Sequence, residues 1–358
     1  MPKTVTASTL VLAAIRERVA ALHAAVEPGT DPVPVLDDRD LGDRDLGTDD
    51  EGAPAGDVGA DGGTSVTVPA AEDEVPDDEP DAPSGDPDGP DVERLAEALS
   101  DLEAVVTGFA SLIEGGELAA LRAELAWARS TVEEARALDG TVDVLEELVE
   151  DLDPTLRQGP VEARVGIVVA SRTAERRDAV TSMLAQPEWT SLLAHADQLV
   201  LTAPIGGRKA KHTDKVLARA LADADAAARE AADAAIAEAQ GSDRAAEPRL
   251  APVAAAAHTV ATTARVVRGA LGKQARKLAD AADALAGALE ERRRSEAVAH
   301  WLVDLADLAH RAGEPSFSYG VLHAEARARR VAADQALAAA VTAYTKPKLH
   351  KWLGAESS

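Results

Sequence analysis

The chain has 358 residues, and its 63 Asp and Glu outnumber its 37 Lys and Arg, so the formal net charge of −26 argues against free nucleic acid or an anionic membrane surface as a partner. It contains no cysteine, which excludes disulfides, iron–sulfur clusters, Cys-ligated zinc and a cysteine nucleophile. Aromatic residues make up 2% and hydrophobic residues 46%, so helix formers dominate over strand formers and we expect an all-α protein.

Residues 1–30 predict the first helix. Thr6 or Ser8 is a suitable N-cap, and the helix runs to about Val26, where a Pro-Gly pair follows. Charged residues end the apolar stretch after Ile15, before any small-residue cleavage site, so the pattern is not that of a signal peptide. Because no apolar run reaches the roughly 18 residues of a membrane span, we expect a soluble, cytoplasmic protein with no membrane partner.

Residues 31–90 hold most of the negative charge. This segment has 20 acidic residues, 2 basic ones, 9 prolines and 9 glycines. It cannot bury enough apolar surface to offset its chain entropy, so we expect a disordered acidic insert. Its charge suits a basic protein partner.

The first helical half is predicted over residues 91–204 from apolar stripes at 3–4 spacing and from Gly and Pro breaks. The predicted helices are one opened by Asp91, one beginning near Leu118, a short one after Asp139-Gly140, one over 161–184 and a short one around Trp189.

The second helical half is predicted over residues 205–354, after a glycine hinge. Its predicted helices span about 212–240, 251–286, 289–312 and 319–345, with a last turn near 349–353. It has 23 basic and 18 acidic residues, so it is net positive. Since no strand pattern occurs, the prediction is a double helical bundle.

No catalytic constellation stands out in the sequence. His300 and His310 lie ten residues apart, which is not the spacing of a metal-binding pair. The basic run after Gly206-Gly207 lacks the spacing of a phosphate loop. We therefore expect no enzyme activity, no metal and no cofactor.

His258, Arg265 and Arg268 fall at i, i+7 and i+10, which places them on one broad helix face. Arginines bind phosphate oxygens bidentately and histidine adds charge at mildly acid pH, so one interpretation is an anion site. The other is a solvated face balanced by local acids. For the triplet 292–294, flanked by three glutamates, the second interpretation is favoured.

Three strings near the C-terminus are more specific than helix periodicity requires. They are Ala299-His300-Trp301-Leu302, Gly313-Glu314-Pro315-Ser316-Phe317-Ser318-Tyr319-Gly320-Val321-Leu322-His323 and Lys346-Pro347-Lys348-Leu349-His350-Lys351-Trp352-Leu353. They resemble the end of the CHAD domain, the conserved-histidine α-helical domain, in its actinobacterial form. The resemblance implies two four-helix-like halves with a pseudo-two-fold relation, no catalytic activity, and binding of inorganic polyphosphate by basic residues that line a central cavity.

The sequence departs from this family in its two basic helices, which typically read His-x-x-Arg-x-x-x-[Lys/Arg]-Arg-x-Arg. In the first half the matching positions hold Glu93, Ala96, Ser100, Asp101 and Glu103. In the second half they hold His258, Ala261, Arg265, Val266 and Arg268. The first helix has thus lost every cation and gained three carboxylates.

Two functions follow from the resemblance and its departures. The first is weakened polyphosphate binding through the second half, with association with polyphosphate granules. Its candidate residues are His258, Arg265, Arg268, Lys211, Lys215, His323 and Arg327. The alternative is a scaffold or adaptor that no longer binds polyphosphate and whose first-half carboxylates engage the basic half or a basic partner. The acidic insert would then act as a tethered anion mimic.

Overall fold

The computed structural model describes residues 6–26, 91–114, 116–202, 213–241 and 250–356, without the side chains of 236–241 and 355–356. The predicted acidic insert and Lys211 lie outside these ranges. Within them the protein is all-α with no β-strand. None of the described helices combines the length and the apolar character needed to cross a membrane.

The described helices fall into two halves with a pseudo-two-fold relation. The first half has α1 (Ala7–Val26), α2 (Val92–Gly108), α3 (Leu118–Glu150), α4 (Val161–Leu184) and α5 (Pro187–Thr202). The second half has α6 (Thr213–Gly241), α7 (Ala251–Arg311), α8 (Phe317–Tyr344) and α9 (Pro347–Glu356). A kink at Gly272 divides α7 into two arms, so α6, the two arms, α8 and α9 repeat the order of α1 to α5.

The predicted break at Gly140 is wrong, because α3 runs continuously through it. Leu138 and Leu145 lie seven residues apart on one buried face, and this packing offsets the roughly 1 kcal/mol helix penalty of a glycine. A Cβ at Gly140 would lie 2.9 Å from Nε of Arg294. The glycine therefore lets the second arm of α7 approach α3 closely.

The predicted break near residue 287 is also wrong. Leu285 and Leu289 are both buried and keep α7 helical across Gly287. The direction of the chain changes earlier, at Gly272, whose φ of 68° and ψ of −145° lie outside helical values. Positive φ is inexpensive only for glycine, so this residue sets the position of the kink.

A large core joins most of the elements. It contains the buried faces of α1, α2 and α6, the first part of α3, the first arm and early second arm of α7, and the ends of α4, α8 and α9. Phe109 is its largest fully buried apolar side chain. This core brings α2 against the first arm of α7, which are the two helices aligned with the basic helices of the sequence analysis.

A second, smaller core lies where two helical hairpins meet at their tips. It is formed by the end of α3, the start of α4, the end of α7 and the start of α8. The buried hydroxyl of Ser318 donates to the carbonyl of Leu156 at 2.8 Å and accepts from the backbone N–H of Gln158 at 2.7 Å. Arg164 and Glu314 form a bidentate pair across the same contact, at 2.5 and 2.8 Å. Hydrogen bonds and an ion pair thus orient the two hairpin tips relative to each other.

Candidate functional site

The crossing of α2 and the first arm of α7 positions the candidate site. At Gly108 an added Cβ would lie 1.9 Å from Oγ1 of the buried Thr263, so the two helices touch where α2 ends. Asp101 lies on α2 seven residues, or about two turns, before Gly108, and it faces the first arm of α7. A close crossing therefore places a first-half carboxylate against the helix that keeps the basic motif.

Three basic side chains converge on Asp101. Its Oδ1 lies 3.1 Å from Nε2 of His258, and its Oδ2 lies 3.7 Å from Nε of Arg18 on α1. The charge of Arg265 also acts on this carboxylate. We call Arg18, His258 and Arg265, with the carboxylate between them, the Asp101 cluster.

The cluster holds Asp101 in its ionised form. Burial by itself raises the pKa of this carboxyl group, but the contact with His258 and the charges of Arg18 and Arg265 outweigh it, so the pKa lies below the ordinary 3.8. At neutral pH the site that the sequence predicts as an anion site already contains an anion. A ligand must compete with it.

Arg265 has a second counter-ion. It forms an ion pair with Asp283 on the second arm of α7 and donates to Oγ1 of Thr262 at 3.3 Å. Of the sequence-predicted motif residues, His258 and Arg265 therefore have carboxylate partners, which leaves them less charge to offer an external anion.

The other two carboxylates gained by α2 face arginines of α3. Oε2 of Glu103 lies 2.5 Å from Nε of Arg129, and Oε1 of Glu93 lies 3.8 Å from Arg136. Burial first, and then neighbouring carboxylates that include Glu133, raise the pKa of Glu93 above 4.5 although Arg136 lowers it. The first-half side of the site is thus rich in negative charge, as the sequence indicates.

Four exposed cations surround the kink of α7, and we call them the kink cations. They are Arg268, Lys273, Arg276 and Lys277. None of them has an ion pair within the described ranges of the chain. Lys273, Arg276 and Lys277 fall at i, i+3 and i+4, so they share one face of the second arm. Because Arg268 follows Arg265 by three residues on the first arm, it lies on the same side of that arm as Arg265 of the Asp101 cluster.

The remaining candidate residues lie elsewhere. Lys215 is exposed at the start of α6 and has no ion pair among the described residues. Half-buried His323 and exposed Arg327 flank residues of the second core on α8. Within the described part of the chain, no hydrogen bond or ion pair joins any of these three to the Asp101 cluster, so the structure does not assemble all the predicted residues into one site.

The arginine triplet of α7 is paired with local acids, as the sequence predicts. Arg293 binds Glu290 at 2.5 Å, and Arg294 lies 3.6 Å from Glu291. Arg292 lies 3.0 Å from Asp334 on α8. These pairs brace the helix surface and do not form an anion site.

Sequence reasoning missed Arg18 and Asp283 as members of the site. Arg18 lies on α1, 83 residues before Asp101 in the chain, and helix periodicity gives no information about which helices pack together. Asp101 itself carried a signal, since a carboxylate stands where the family has a cation. No group of His, Asp or Glu within the described residues has the arrangement of a metal site.

Comparison with known proteins supports the fold and identifies the family. The family model of the CHAD domain matches residues 77–303. A solved structure, PptA from Streptomyces chartreusis, is similar to this chain with a TM-score of 0.51 and 18% identity, over 70% of this chain and 89% of that one; at this identity the likeness concerns the fold. No curated protein matches the sequence. The chain belongs to the CHAD family.

Proposed function

We propose that this protein binds inorganic polyphosphate through its second half, more weakly than a CHAD protein with two basic helices, and catalyses no reaction on it. Membership of the CHAD family supports the ligand class. The absence of a catalytic constellation from the sequence supports a binding role.

The main structural support for polyphosphate binding comes from the kink cations. They are exposed, they have no carboxylate partner among the described residues, and they fall within ten residues of chain. A chain of phosphates that binds them releases counter-ions and breaks no ion pair of the protein. A polyanion can therefore gain electrostatic energy at this surface without the cost of breaking an ion pair.

The proposed weakness follows from the other half of the site. Within the inner cluster His258 contacts Asp101, Arg265 pairs with Asp283, and Arg18 pairs with both Glu17 and Asp101. Glu103 and Glu93 occupy Arg129 and Arg136. Cations that already have partners contribute little net affinity, because an existing pair must be broken first. We therefore expect a shallow salt dependence, set mainly by the kink cations.

Titration of the full-length protein with long-chain polyphosphate at about 50 mM salt tests the proposal. Replacing Arg268, Lys273 and Lys277 by glutamine should weaken binding and reduce the slope of log affinity against log salt by about two. A matched control replaces Lys346, Lys348 and Lys351, three exposed lysines near the C-terminus, by glutamine. Absence of binding by the wild-type protein, or equal losses in both variants, would reject the proposal.

The contact between Asp101 and His258 favours a second candidate function, a scaffold whose former anion site is closed by internal ion pairs. In such a scaffold the ion pairs of the Asp101 cluster stabilise the fold, and the kink cations bind no ligand. The two candidates differ in one measurement. If the wild-type protein does not bind long-chain polyphosphate, the scaffold is favoured.

A further inference from the structure

The partners of Asp101 come from two different helices. Arg18 lies on α1, while His258 and Arg265 lie on the first arm of α7. The side chains of Asp101, His258 and Arg18 are 35%, 29% and 16% exposed, so the cluster is partly accessible to solvent. An anion arriving from solvent therefore meets this carboxylate at the point where the cations converge.

Two side-chain nitrogens of the cluster form no hydrogen bond with Asp101. Nε of Arg18 and Nε2 of His258 are shielded from solvent, and neither has a hydrogen-bond acceptor within the described residues. The carboxylate is close enough to balance their charge but is not oriented to accept both hydrogen bonds. A phosphate has more acceptor oxygens than a carboxylate, so the cluster is better suited to it in hydrogen bonding.

The length of a phosphate chain should determine whether it can displace Asp101 from the cluster. Asp101 is tethered, so its effective concentration at the cations is high, and a short free anion has no other contact with which to displace it. A long polyphosphate chain has further phosphates for the kink cations, which begin three residues after Arg265. These outer contacts raise the local concentration of phosphate at the inner cluster.

We propose that Asp101 sets the length selectivity of this site: it keeps short phosphate chains out of the Arg18, His258 and Arg265 cluster and leaves long chains able to bind. This inference rests on the proposed polyphosphate function and adds a residue that determines specificity. It assigns to a carboxylate, within a basic site, a role in choosing the ligand.

The test compares full-length wild-type protein with the Asp101→Asn variant, which keeps the shape of the side chain and removes its charge. Inorganic tripolyphosphate and long-chain polyphosphate are titrated separately at about 50 mM salt. We expect Asp101→Asn to raise the affinity for tripolyphosphate by about tenfold or more and the affinity for the long chain by a smaller factor. Glu97→Gln is the matched control, since it removes one negative charge from an exposed position of the same helix.

Each outcome bears on one proposal. Equal affinity of wild type and Asp101→Asn for tripolyphosphate, or an equal gain in Glu97→Gln, overturns the length selectivity. Wild-type failure to bind the long chain, together with a tripolyphosphate gain in Asp101→Asn, overturns the proposed function and supports Asp101 as the internal anion. If Asp101→Asn does not fold, the double variant with Arg18→Gln keeps the local charge balanced and should show a smaller gain in the same direction.

Discussion

His350 on α9 and the fully buried Asp225 on α6 form a charged pair, with Nδ1 of the ring 3.0 Å from Oδ2 of the carboxylate. The other ring nitrogen, Nε2, lies 2.6 Å from the backbone carbonyl of Tyr344. A carboxylate and a carbonyl can only accept, so both ring nitrogens donate and the ring is an imidazolium. The hydroxyl of Tyr344 and the side chain of Arg229 complete the set of donors to Asp225.

The His350→Gln variant should show a pH-dependent loss of stability. The hydrogen bond to Asp225 outweighs burial and raises the pKa of His350 above 6.5. This stabilisation is fully present below about pH 6.5 and is lost as the pH rises through the folded-state pKa. We expect a loss of about 2 kcal/mol at pH 6 and a clearly smaller one at pH 9, measured by denaturant unfolding.

The control for this variant is His310→Gln, since His310 is exposed and has no partner among the described residues. It should leave stability unchanged at both pH values. At acid pH, Asp225 makes stability depend on pH in the opposite direction. Burial raises the pKa of Asp225, but the bonds from His350 and Tyr344 hold it below 3.8, so this stabilisation is present above pH 3.8 and is lost as the pH falls through the lower folded-state pKa. A pH-independent effect of His350→Gln would contradict the assignment of the imidazolium.

The two tyrosines of the chain should respond differently to the loss of their hydroxyls. Tyr344 donates to Asp225 at 2.8 Å, whereas the buried hydroxyl of Tyr319 has no partner within the described residues. Tyr344→Phe leaves a buried carboxylate with one donor fewer and should cost about 1–3 kcal/mol. Tyr319→Phe removes an unsatisfied polar group and should be neutral or slightly stabilising. Thermal unfolding distinguishes them, and equal destabilisation would show that Tyr319 has an acceptor.

Gly108→Ala should destabilise the crossing of α2 and α7. The new Cβ would lie 1.9 Å from Oγ1 of Thr263, and such overpacking costs about 1–3 kcal/mol. The matched control is Gly166→Ala in α4, where no atom lies within 4 Å and alanine should stabilise the helix by about 0.5–1 kcal/mol. Adding Thr263→Ala to Gly108→Ala should recover most of the loss. Failure of that rescue would place the strain elsewhere.

Replacing residues 31–90 by a neutral Gly/Ser segment of the same length should raise the affinity for long-chain polyphosphate. The segment carries 20 acidic and 2 basic residues, so we expect it to compete in cis for the basic surface. The gain should vanish at high salt, where such interactions are screened. A scrambled segment of unchanged composition is the control. Unchanged or lower affinity in the neutral variant would reject this competition.

The sequence predicts helices well where one apolar stripe is bounded by strong signals. Asp91 caps α2 through a bond from the backbone N–H of Arg94 to its side chain, as an N-cap residue should. The prediction of helix ends from the sequence fails at Gly140 and Gly287, because each glycine lies inside an apolar stripe whose burial stabilises the helix. It also misses the kink, because Gly272 looks in the sequence like the glycines that do not bend the chain.

The candidate site was predictable only in part, because a local sequence pattern shows which residues share a helix face but not which helices pack together. The loss of cations from α2 can be seen in the sequence, and Asp101 is one of the replacements. Its pairing with Arg18 depends on how α1 packs against α2, and a local pattern does not encode that packing. Electrostatic partners far apart in the chain become visible only when the fold is known.

The second core has a consequence for the order in which the protein is made. Leu145 and Val161 of the first half share their core with residues of the stretch 298–326, which the ribosome adds much later. Until then the tip of the α3–α4 hairpin exposes its apolar side chains, and chains of this size are prone to aggregate at such a stage. A nascent chain that stops after α5 therefore has no cover for this tip, and the newly made first half depends on prompt completion of the second.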